Sequence, residues 1–422
     1  MGNSWRRISQ LTVVCGLLLG GVAPANADVV TQWNLQVFIS GGPQLQRTLA
    51  LVHLAMFDAL NATSPRYQAY LPLPAPAAGT NGEAAAASAA HGVLLRLFPA
   101  QAAALDAQLA VSLAGIPNGP GKTAGVQYGD LVAQALYQAR LNDNILAQGP
   151  LYVSTNEPGN YQITTPGPPQ PVNTGARTWI PFGLESASQF RPGPPPDLTS
   201  VRYARDMNET KAYGDVNSAV RTPDQSLVAN WHIEQAGFSL NRAARAEVAV
   251  DGRDLLARAR LFALLNVAMM DAVTSVFDAK YTYLRWRPVT ALRNADVDDN
   301  PRTSPDPTWT SFVVTPPHPE YPAAHGTVTT AGTRVLTRYF GPHHEFDATS
   351  STVPGITRHF ASFDAFAEDA GDARIFGGMH VRTSIDVGQR QGKKVANWIL
   401  GHYLRPLSAD DDDDFGGDED SD

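Results

Sequence analysis

The chain has 422 residues, of which 43% are hydrophobic and 17% are charged, and its formal net charge is −8. This composition is that of a globular protein with enough apolar residues for a large core. Basic residues form no stripe along the sequence, so we predict no nucleic-acid partner.

The first 27 residues have the features of a secretory signal peptide. Arg6 and Arg7 form a basic start, an apolar run extends from Leu11 to Val22, and Ala25-Asn26-Ala27 provides a small-residue cleavage site. The apolar run is too short to span a membrane. We therefore predict a mature chain that is secreted or periplasmic and has no membrane span, with the export route left open.

Two further features lie near the ends of the chain, a single cysteine and a dense acidic run. The only cysteine, Cys15, lies within the predicted signal peptide. The mature chain would therefore have no disulfide, zinc–thiolate site or cysteine nucleophile. Residues 408–422 carry a run of acidic side chains that repel one another, which predicts a disordered tail, with weak calcium binding as the alternative.

Apolar residues spaced three and four apart predict helices along most of the chain. The predicted helices are Thr48–Asn61, Glu83–Leu97, Thr123–Leu141, Asp224–Ser239, Arg245–Phe277, Thr327–Tyr339 and Val395–Tyr403. Long segments rich in proline and glycine lie between them, namely Pro72–Gly82, Gly149–Pro196 and Asn294–Pro322. No alternating pattern typical of strands is present. These features predict an all-α fold with long surface loops.

A short internal similarity indicates two related halves. Residues 55–59 (AMFDA) recur as residues 268–272 (AMMDA), and Tyr70 then corresponds to Tyr283. Chance similarity between two alanine-rich core helices is the alternative, because the matched stretch is short. We predict two packed helical bundles, of which only the second carries the cations described next. The predicted division is a signal peptide at 1–27, an N-terminal bundle at 28–240, a C-terminal bundle at 241–407 and a tail at 408–422.

The first of three cationic motifs contains Lys280 and Arg287, which lie seven residues apart and precede Pro288. If the helix continued between them, their side chains would share one face two turns apart. Pro288 would then end or bend the segment. A solvated cationic face is the alternative, but the aromatic residues of this stretch favour partial burial.

The other two motifs add histidines. His325 follows a loop and precedes a helical pattern, and a helix N-terminus presents unpaired backbone N–H groups that favour an anion. Arg374 and His380 lie six residues apart, and Gly377 and Gly378 between them permit a close backbone approach. A packing histidine and an ordinary loop are the respective alternatives. Converging on one point, three cations and two imidazoles would suit a tetrahedral or trigonal oxyanion such as phosphate or vanadate.

The ordered set Arg-Pro, Pro-x-x-His-Gly and Arg-x5-His resembles the motifs of the vanadium-dependent haloperoxidases. It also resembles those of the type 2 phosphatidic-acid phosphatases and bacterial acid phosphatases, which share their fold. The similar region covers Lys280 to Gly388. Residues 315–322 (TPPHPEYP) and 179–182 (WIPF) resemble the secreted bacterial haloperoxidase-like branch in particular.

This resemblance implies how the anion would be held. Lys280, Arg287 and Arg374 would bind its equatorial oxygens, and the backbone N–H of Ala324 would add a donor. Ala323 and Ala324 replace the usual Ser-Gly of the family motif, so the hydroxyl donor is missing. The loss of one hydrogen bond to a charged group costs about 1.5–3 kcal/mol.

The same resemblance implies roles for the histidines and for two further residues. His325 would be the acid–base residue, and His380 would bind vanadium axially, or attack phosphorus in a phosphatase. Phe277 and His318 match the positions of groups beside the halide, with plain packing as the alternative. Ser384 stands where the family commonly has an aspartate, and residues 386–388 resemble the variant ending of the bacterial branch.

The resemblance thus implies a secreted haloperoxidase that binds vanadate and uses hydrogen peroxide to oxidise a halide, which then reacts with a small organic acceptor. Phosphate has a similar shape and charge and can occupy the same site, so a phosphomonoesterase is the alternative enzyme. A non-catalytic oxyanion-binding protein, with a site that has decayed at Ala323 and Ala324, is the third hypothesis. The presence of all three cations and both histidines argues against decay.

Overall fold

The structure, a computed structural model, describes residues 27–42 and 44–408. The predicted signal peptide, with Cys15, and the predicted acidic tail fall outside these residues except for Ala27 and Ser408. The described residues confirm the all-α prediction. They form helices α1 (Val29–Ser40), α2 (Leu45–Thr63), α3 (Gly82–Leu97), α4 (Ala102–Ala114), α5 (Pro120–Ala139), α6 (Val201–Gly214), α7 (Pro223–Trp231), α8 (Ala236–Val248), α9 (Leu255–Tyr283), α10 (Pro288–Arg293), α11 (Ala324–Phe340), α12 (Phe363–Phe376) and α13 (Arg382–His402).

Three predicted helices are wrong in extent: Val395–Tyr403 is only the last part of α13, which begins at Arg382, and two others span a break. Residues 224–239 form parts of two helices, because α7 ends at Trp231 and α8 begins at Ala236. Residues 245–277 are also interrupted, because α8 ends at Val248 and α9 begins at Leu255. Both breaks are too short to disturb the apolar spacing, so periodicity alone did not reveal them.

The helix that carries Lys280 does not continue to Arg287. It ends at Tyr283, and Leu284 adopts a left-handed conformation with φ of 48°. Pro288 starts α10 instead of ending a helix, because its missing N–H would be unpaired in a first turn anyway. Lys280 therefore lies in α9, whereas Arg287 lies in the segment between α9 and α10.

The structure also has a small hairpin that the sequence did not predict. Strands β1 (Phe346–Thr349) and β2 (Thr357–Phe360) pair antiparallel, with Phe346 opposite Phe360. Each strand has only four residues, which is too short for a recognisable alternating pattern. The hairpin leaves the fold class unchanged.

The two bundles use the same glycine spacing where two helices meet closely. A Cβ atom at Gly125 or Gly129 of α5 would lie 2.5 or 2.2 Å from a carbonyl oxygen at the start of α3. At Gly388 or Gly392 of α13 it would lie 2.7 or 2.1 Å from a carbonyl oxygen at the start of α11. Each bundle thus contains a helix pair whose backbones approach because glycines lie four residues apart. The predicted pair of packed helical bundles is confirmed.

The aspartates of the internal similarity have matching contacts. Asp58 on α2 accepts hydrogen bonds from the backbone N–H groups of Tyr70 and Leu71, at 2.8 and 2.9 Å. Asp271 on α9 accepts three from residues 182–184, at 2.6–2.9 Å. Each buried carboxylate therefore fixes the backbone of a loop against the long helix of its bundle.

A buried polar network connects the bundles. Asn34 of α1 donates to Asn241 of α8 at 2.8 Å and to His53 of α2 at 2.7 Å. Asn241 in turn donates to Asn266 of α9 at 2.9 Å. His53 and Asn266 are separated by the same interval as Asp58 and Asp271. Two members of the network, His53 and Asn266, therefore stand at matching positions of the two halves.

Apolar residues from both halves form one continuous core that extends from Val29 to Leu404. In the described part of the chain, one helix, α9, is long and apolar enough to cross a membrane by length and composition alone. Of the window that meets this criterion, 94% is buried inside the protein, and core helices of soluble proteins meet the same criterion. The predicted boundary after residue 240 falls within α8, and the division of the chain stays a prediction.

Candidate functional site

The three sequence motifs meet at helix ends around the base of one cavity. Arg287 contacts His380 and His318 directly. Lys280 donates to the carbonyl of Glu320, two residues after His318, and Arg374 donates to the sulfur of Met379, which precedes His380. Lys280 lies in the last turn of α9, Arg287 precedes α10, His325 lies in the first turn of α11, Arg374 lies in the last turn of α12, and His380 lies in the turn before α13. Residues up to 100 positions apart in sequence thus form one cluster.

Arg287 is the centre of this cluster and has no exposed surface. Its Nε donates to the carbonyl of His318 at 2.7 Å, and its Nη1 donates to that of Met379 at 2.8 Å. Nη1 also lies 3.1 Å from Nε2 of His380. The guanidinium therefore connects the loop before α11 to the turn before α13.

Lys280 and Glu320 form the second part of the cluster. The ammonium of Lys280 donates to the carbonyls of Pro319 and Glu320 at 2.7 and 2.8 Å. The Glu320 carboxylate contacts His380 instead. Burial raises the pKa of Glu320, while the nearby cations Lys280 and Arg287 oppose that rise. Glu320 is thus a buried acid within a cationic site.

The contacts of His380 fix its tautomer. A guanidinium can only donate, so Nε2 of His380, which faces Arg287, carries the lone pair. Nδ1 then carries the proton and donates to Oε1 of Glu320 at 2.9 Å. Burial and the surrounding cations lower the pKa of His380 well below its usual value, which keeps the ring neutral. The ring therefore directs its Nε2 lone pair towards Arg287, and a neutral imidazole in this tautomer has the form that a metal ligand takes.

The glycine pair allows the chain to fold back onto Arg374. Gly378 has φ of +77°, and a Cβ atom there would lie 2.4 Å from the carbonyl oxygen of Gly214. The N–H groups of Met379 and His380 both point to the carbonyl of Arg374, at 3.0 and 3.3 Å. This turn places His380 next to the other motifs.

Arg374 is buried, which excludes a surface role. Its Nη1 donates to the carbonyl of His232 at 3.1 Å, and its Nη2 donates to Sδ of Met379 at 3.0 Å. Among the described residues its Nε has no hydrogen-bond partner. Burial, together with the charge of Arg287, lowers the pKa of Arg374 to about 9. Arg374 also borders the cavity described below, so this donor is a candidate contact for a bound anion.

His325 is oriented by a carbonyl from the first half of the chain. Its Nε2 lies 2.9 Å from the carbonyl oxygen of Glu234. A carbonyl only accepts, so Nε2 carries the proton and Nδ1 is the basic nitrogen. Burial and Arg374 lower the pKa of His325 well below 6.5, so the ring is neutral and can accept a proton.

The N-terminus of α11 is not capped by a side chain. Ala323 occupies the N-cap position, where serine would be favourable, and makes no side-chain hydrogen bond. Ala324 is the first helical residue and borders the cavity with His325. Among the described residues, no side chain accepts a hydrogen bond from the backbone N–H groups of this first turn, which suits an anion.

A cavity of about 670 Å³ leads to these residues. His325, Arg374 and Met379 border it, whereas Lys280, Arg287 and His380 are buried behind them. Phe277 and His318 also border it, and their rings meet edge to face with centroids 5.0 Å apart. The remaining lining is mostly apolar, and includes Phe38, Ile233, Phe238, Val273, Val313 and Val328.

The charge balance of the cluster suits an anion. Three buried cations face one carboxylate, and the three histidine rings are neutral. Burial lowers the pKa of Lys280 well below its usual value and that of Arg287 to about 10, which shows how costly the uncompensated charges are. An oxyanion would offset this cost and would provide an acceptor for Nε of Arg374. The residues therefore fit vanadate or phosphate.

Comparisons with known proteins agree with this arrangement. Residues 260–409 match the family model of the VCPO second helical-bundle domain. The chain also superimposes on a bacterial vanadium-dependent iodoperoxidase with a TM-score of 0.76 and 24% identity, over 90% of this chain and 97% of that one. The chain has the fold of the vanadium-dependent haloperoxidases. The predicted resemblance to this superfamily is confirmed.

Two further structures of this fold are similar over most of their length. An apo-type bacterial vanadium-dependent chloroperoxidase matches with a TM-score of 0.68 and 19% identity, over 84% of this chain and 92% of that one. A holo-type bacterial vanadium-dependent chloroperoxidase matches with a TM-score of 0.66 and 18% identity, over 89% and 93%. No curated protein sequence matches the chain. The haloperoxidase fold thus extends over both bundles.

Sequence reasoning missed three contributors to the site. Glu320 was visible only as part of a proline-rich segment, and Met379 only as a spacer between Gly378 and His380. The segment 232–235 acts through the carbonyls of His232 and Glu234, which every residue type has. The one signal available in the sequence is the position of Glu320, which lies two residues before Pro322 of the Pro-x-x-His-Gly motif. An acidic residue so close to a cationic motif could have been tested as a partner of its cations or histidines.

Proposed function

We propose that this protein is a vanadate-dependent haloperoxidase that uses hydrogen peroxide to oxidise a halide. The observation that carries the proposal is the arrangement of His380. Its Nε2 lies 3.1 Å from Nη1 of the buried Arg287, and its Nδ1 is anchored to Glu320 at 2.9 Å. A neutral imidazole held in this tautomer is a metal ligand with a fixed direction. The similar structures described as vanadium-dependent iodoperoxidase and chloroperoxidase support the same chemistry.

The cations and the start of α11 would hold vanadate. Lys280, Arg287 and Arg374 would bind its oxygens, the N–H of Ala324 would add a backbone donor, and Nε2 of His380 would bind the vanadium. When bound, vanadate would supply a Lewis acid that activates hydrogen peroxide towards the halide. The same cations would withdraw electron density from the reacting oxygen, which lowers the barrier to its transfer.

His325 would manage the protons of hydrogen peroxide. The carbonyl of Glu234 holds its Nε2–H, so Nδ1 is the nitrogen that can accept a proton at the cavity floor. The low pKa keeps the ring neutral in the resting protein and makes its protonated form a ready proton donor. Nδ1 of His325 would therefore accept a proton from hydrogen peroxide and later donate it to the oxygen that leaves as water.

The cavity would admit the halide and the organic acceptor. Phe277 and His318 form the wall next to Arg287, and Nη2 of Arg287 donates to Nδ1 of His318 at 3.0 Å. Nδ1 of His318 also lies 3.2 Å from the carbonyl oxygen of Pro319, so the ring is held between a donor and an acceptor. The apolar walls favour a small acceptor with little charge.

A phosphomonoesterase would use the same residues, because the lone pair of His380 could attack phosphorus. A paired assay separates the two activities. The purified protein is tested for halogenation of a phenol dye with vanadate, peroxide and either iodide, bromide or chloride, and for hydrolysis of an aryl phosphate without them. Halogenation that high phosphate suppresses is expected. Phosphate hydrolysis alone would overturn the proposal, and silence in both assays would favour a non-catalytic anion-binding protein.

We also propose that the mature protein is secreted or periplasmic. The support is the basic, apolar and small-residue pattern of residues 1–27. The N-terminal sequence of the protein recovered from its source checks this. A chain that retains Met1 and stays in the cytoplasm would contradict it.

A further inference from the structure

The sulfur atom of Met379 contacts Arg374, one of the proposed anion-binding residues, and Met379 borders the cavity. We propose that Met379 is the residue that the oxidant formed at this site modifies first, by conversion of its thioether to a sulfoxide, and that the sulfoxide weakens anion binding. This inference rests on the proposed function for the source of the oxidant. The position of the sulfur and its contacts are independent of it.

Cysteine and methionine are the side chains that an oxidant in the cavity would be expected to modify, because their sulfur atoms are readily oxidised. The only cysteine, Cys15, lies in the predicted signal peptide, so the mature chain would have no thiol to compete. The described methionines are all buried within the protein. Among them, Met379 alone borders the cavity, whereas Met56, Met207, Met269 and Met270 pack in the interior. A small oxidant in the cavity therefore meets one methionine.

The contacts of Met379 place this sulfur next to the anion-binding groups. Its Sδ accepts from Nη2 of Arg374 at 3.0 Å. Its backbone carbonyl accepts from Nη1 of Arg287 at 2.8 Å, and the next residue is His380. An oxidant that forms at an anion held by Arg374 would therefore be close to the thioether, because Sδ lies 3.0 Å from Nη2 of this arginine.

The chemical step is balanced as follows. The sulfur lone pair attacks the oxygen of a hypohalous acid, a sulfur–oxygen bond forms, and the oxygen–halogen bond breaks. The sulfur is oxidised by two electrons to the sulfoxide, the halogen is reduced to halide, and the proton of the acid is released to solvent. The hypohalous acid is the product of halide oxidation by hydrogen peroxide, so no additional reagent is needed.

The sulfoxide would change the site in two ways. Its oxygen is a much stronger hydrogen-bond acceptor than a thioether, so it would hold Nη2 of Arg374 and compete with the anion for this side chain. The added atom also needs room in a crowded place, because a Cβ atom at Gly377 would already lie 2.6 Å from the terminal methyl of Met379. We expect about a tenfold weaker affinity for vanadate.

The test begins with the wild-type protein and hypochlorous acid, added in small molar steps without vanadate or peroxide. Peptide mass mapping then reports the order in which methionines gain one oxygen atom, with Met269 and Met270 as internal controls. Calorimetric titration with orthovanadate follows the affinity at each step. Met379→Leu receives the same treatment, because leucine has a similar volume and no sulfur.

The expected result is oxidation of Met379 before Met269 and Met270, with a tenfold loss of vanadate affinity in the wild type and no loss on treatment of Met379→Leu. Equal rates of oxidation at the three methionines would overturn the inference, and this comparison needs no variant. An equal loss of affinity in treated Met379→Leu would also overturn it.

A second arm separates this inference from the proposed function. The protein turns over with vanadate, hydrogen peroxide and iodide, and a parallel sample receives peroxide alone. Oxidation of Met379 only in the complete mixture supports both the function and the inference. Oxidation by added hypochlorous acid but never in the complete mixture would contradict the proposed function and still support the assignment of Met379 as the reactive residue.

Discussion

The substitution Arg374→Lys tests the unpaired donor at the base of the cavity. Lysine keeps the positive charge but lacks the Nε–H, which has no hydrogen-bond partner among the residues that the structure describes. A charge-assisted hydrogen bond contributes about 1.5–3 kcal/mol. Because each 1.4 kcal/mol corresponds to about a tenfold change in Kd, we expect vanadate and phosphate to bind roughly 10- to 150-fold more weakly.

The same substitution has a separate effect on stability. It removes the hydrogen bond from Nη1 of Arg374 to the carbonyl of His232, which is 3.1 Å long in the wild type. The loss of such a bond lowers the free energy of unfolding by about 1 kcal/mol. Urea unfolding measures this term, so that a loss of affinity cannot be confused with a loss of folded protein.

Calorimetric titration with orthovanadate, and then with orthophosphate, measures the affinity. Arg382→Lys is the matched control, because Arg382 pairs with Glu209 and Asp372 away from the cavity and its side chain is one-third exposed. The control should bind both anions as the wild type does. If folded Arg374→Lys binds vanadate within threefold of the wild type, Nε of Arg374 does not contact the anion and the assignment of this residue is wrong.

Three other outcomes are expected. His380→Ala should abolish vanadate binding in a titration, whereas His325→Ala should keep measurable binding and lose most turnover; equal loss of binding would contradict their separate roles. Ala323→Ser should tighten vanadate binding about tenfold or more by restoring a hydroxyl donor, and unchanged affinity would mean that position 323 does not face the anion. His53→Asn should reduce the acid sensitivity of folding. Burial lowers the pKa of His53 to about 3, so the unfolded state binds the proton first and wild-type stability falls by about 1.4 kcal/mol per pH unit below 6.5. Urea unfolding at pH 7 and pH 5 should therefore show about 2 kcal/mol less loss in the variant, and equal losses would refute this.

The parts of the site that sequence predicted are those with a local chemical signature. Lys280 and Arg287 stand in an aromatic segment, and the glycines before His380 are needed by the backbone that carries it. Helices with one apolar face were predicted for the same reason. By contrast, α1 is buried on nearly every side and α12 contains glycine and several aspartates, so neither shows a clear amphipathic pattern.

The parts that could not be predicted depend on tertiary structure. Glu320 lies in a loop between prolines, and nothing in that loop shows that its carboxylate would be buried against His380. The break between α7 and α8 is invisible to apolar periodicity, yet it frees the carbonyls of His232 and Glu234 to accept from Arg374 and His325. Backbone groups carry no residue-specific signal, so only the folded chain reveals such partners.

The position of this break has a consequence for recombination between relatives. Segment 232–235 precedes the region of the family match, which begins at residue 260, whereas Arg374 and His325 lie within it. A chimera that joined the first bundle of one relative to the second bundle of another would inherit every side chain assigned to the reaction. In such a chimera, however, the carbonyls that accept from the acid–base histidine and from one anion-binding arginine would come from the other parent. A chimera should therefore be more active when the crossover lies on the N-terminal side of α7, because segment 232–235 then comes from the same parent as His325 and Arg374.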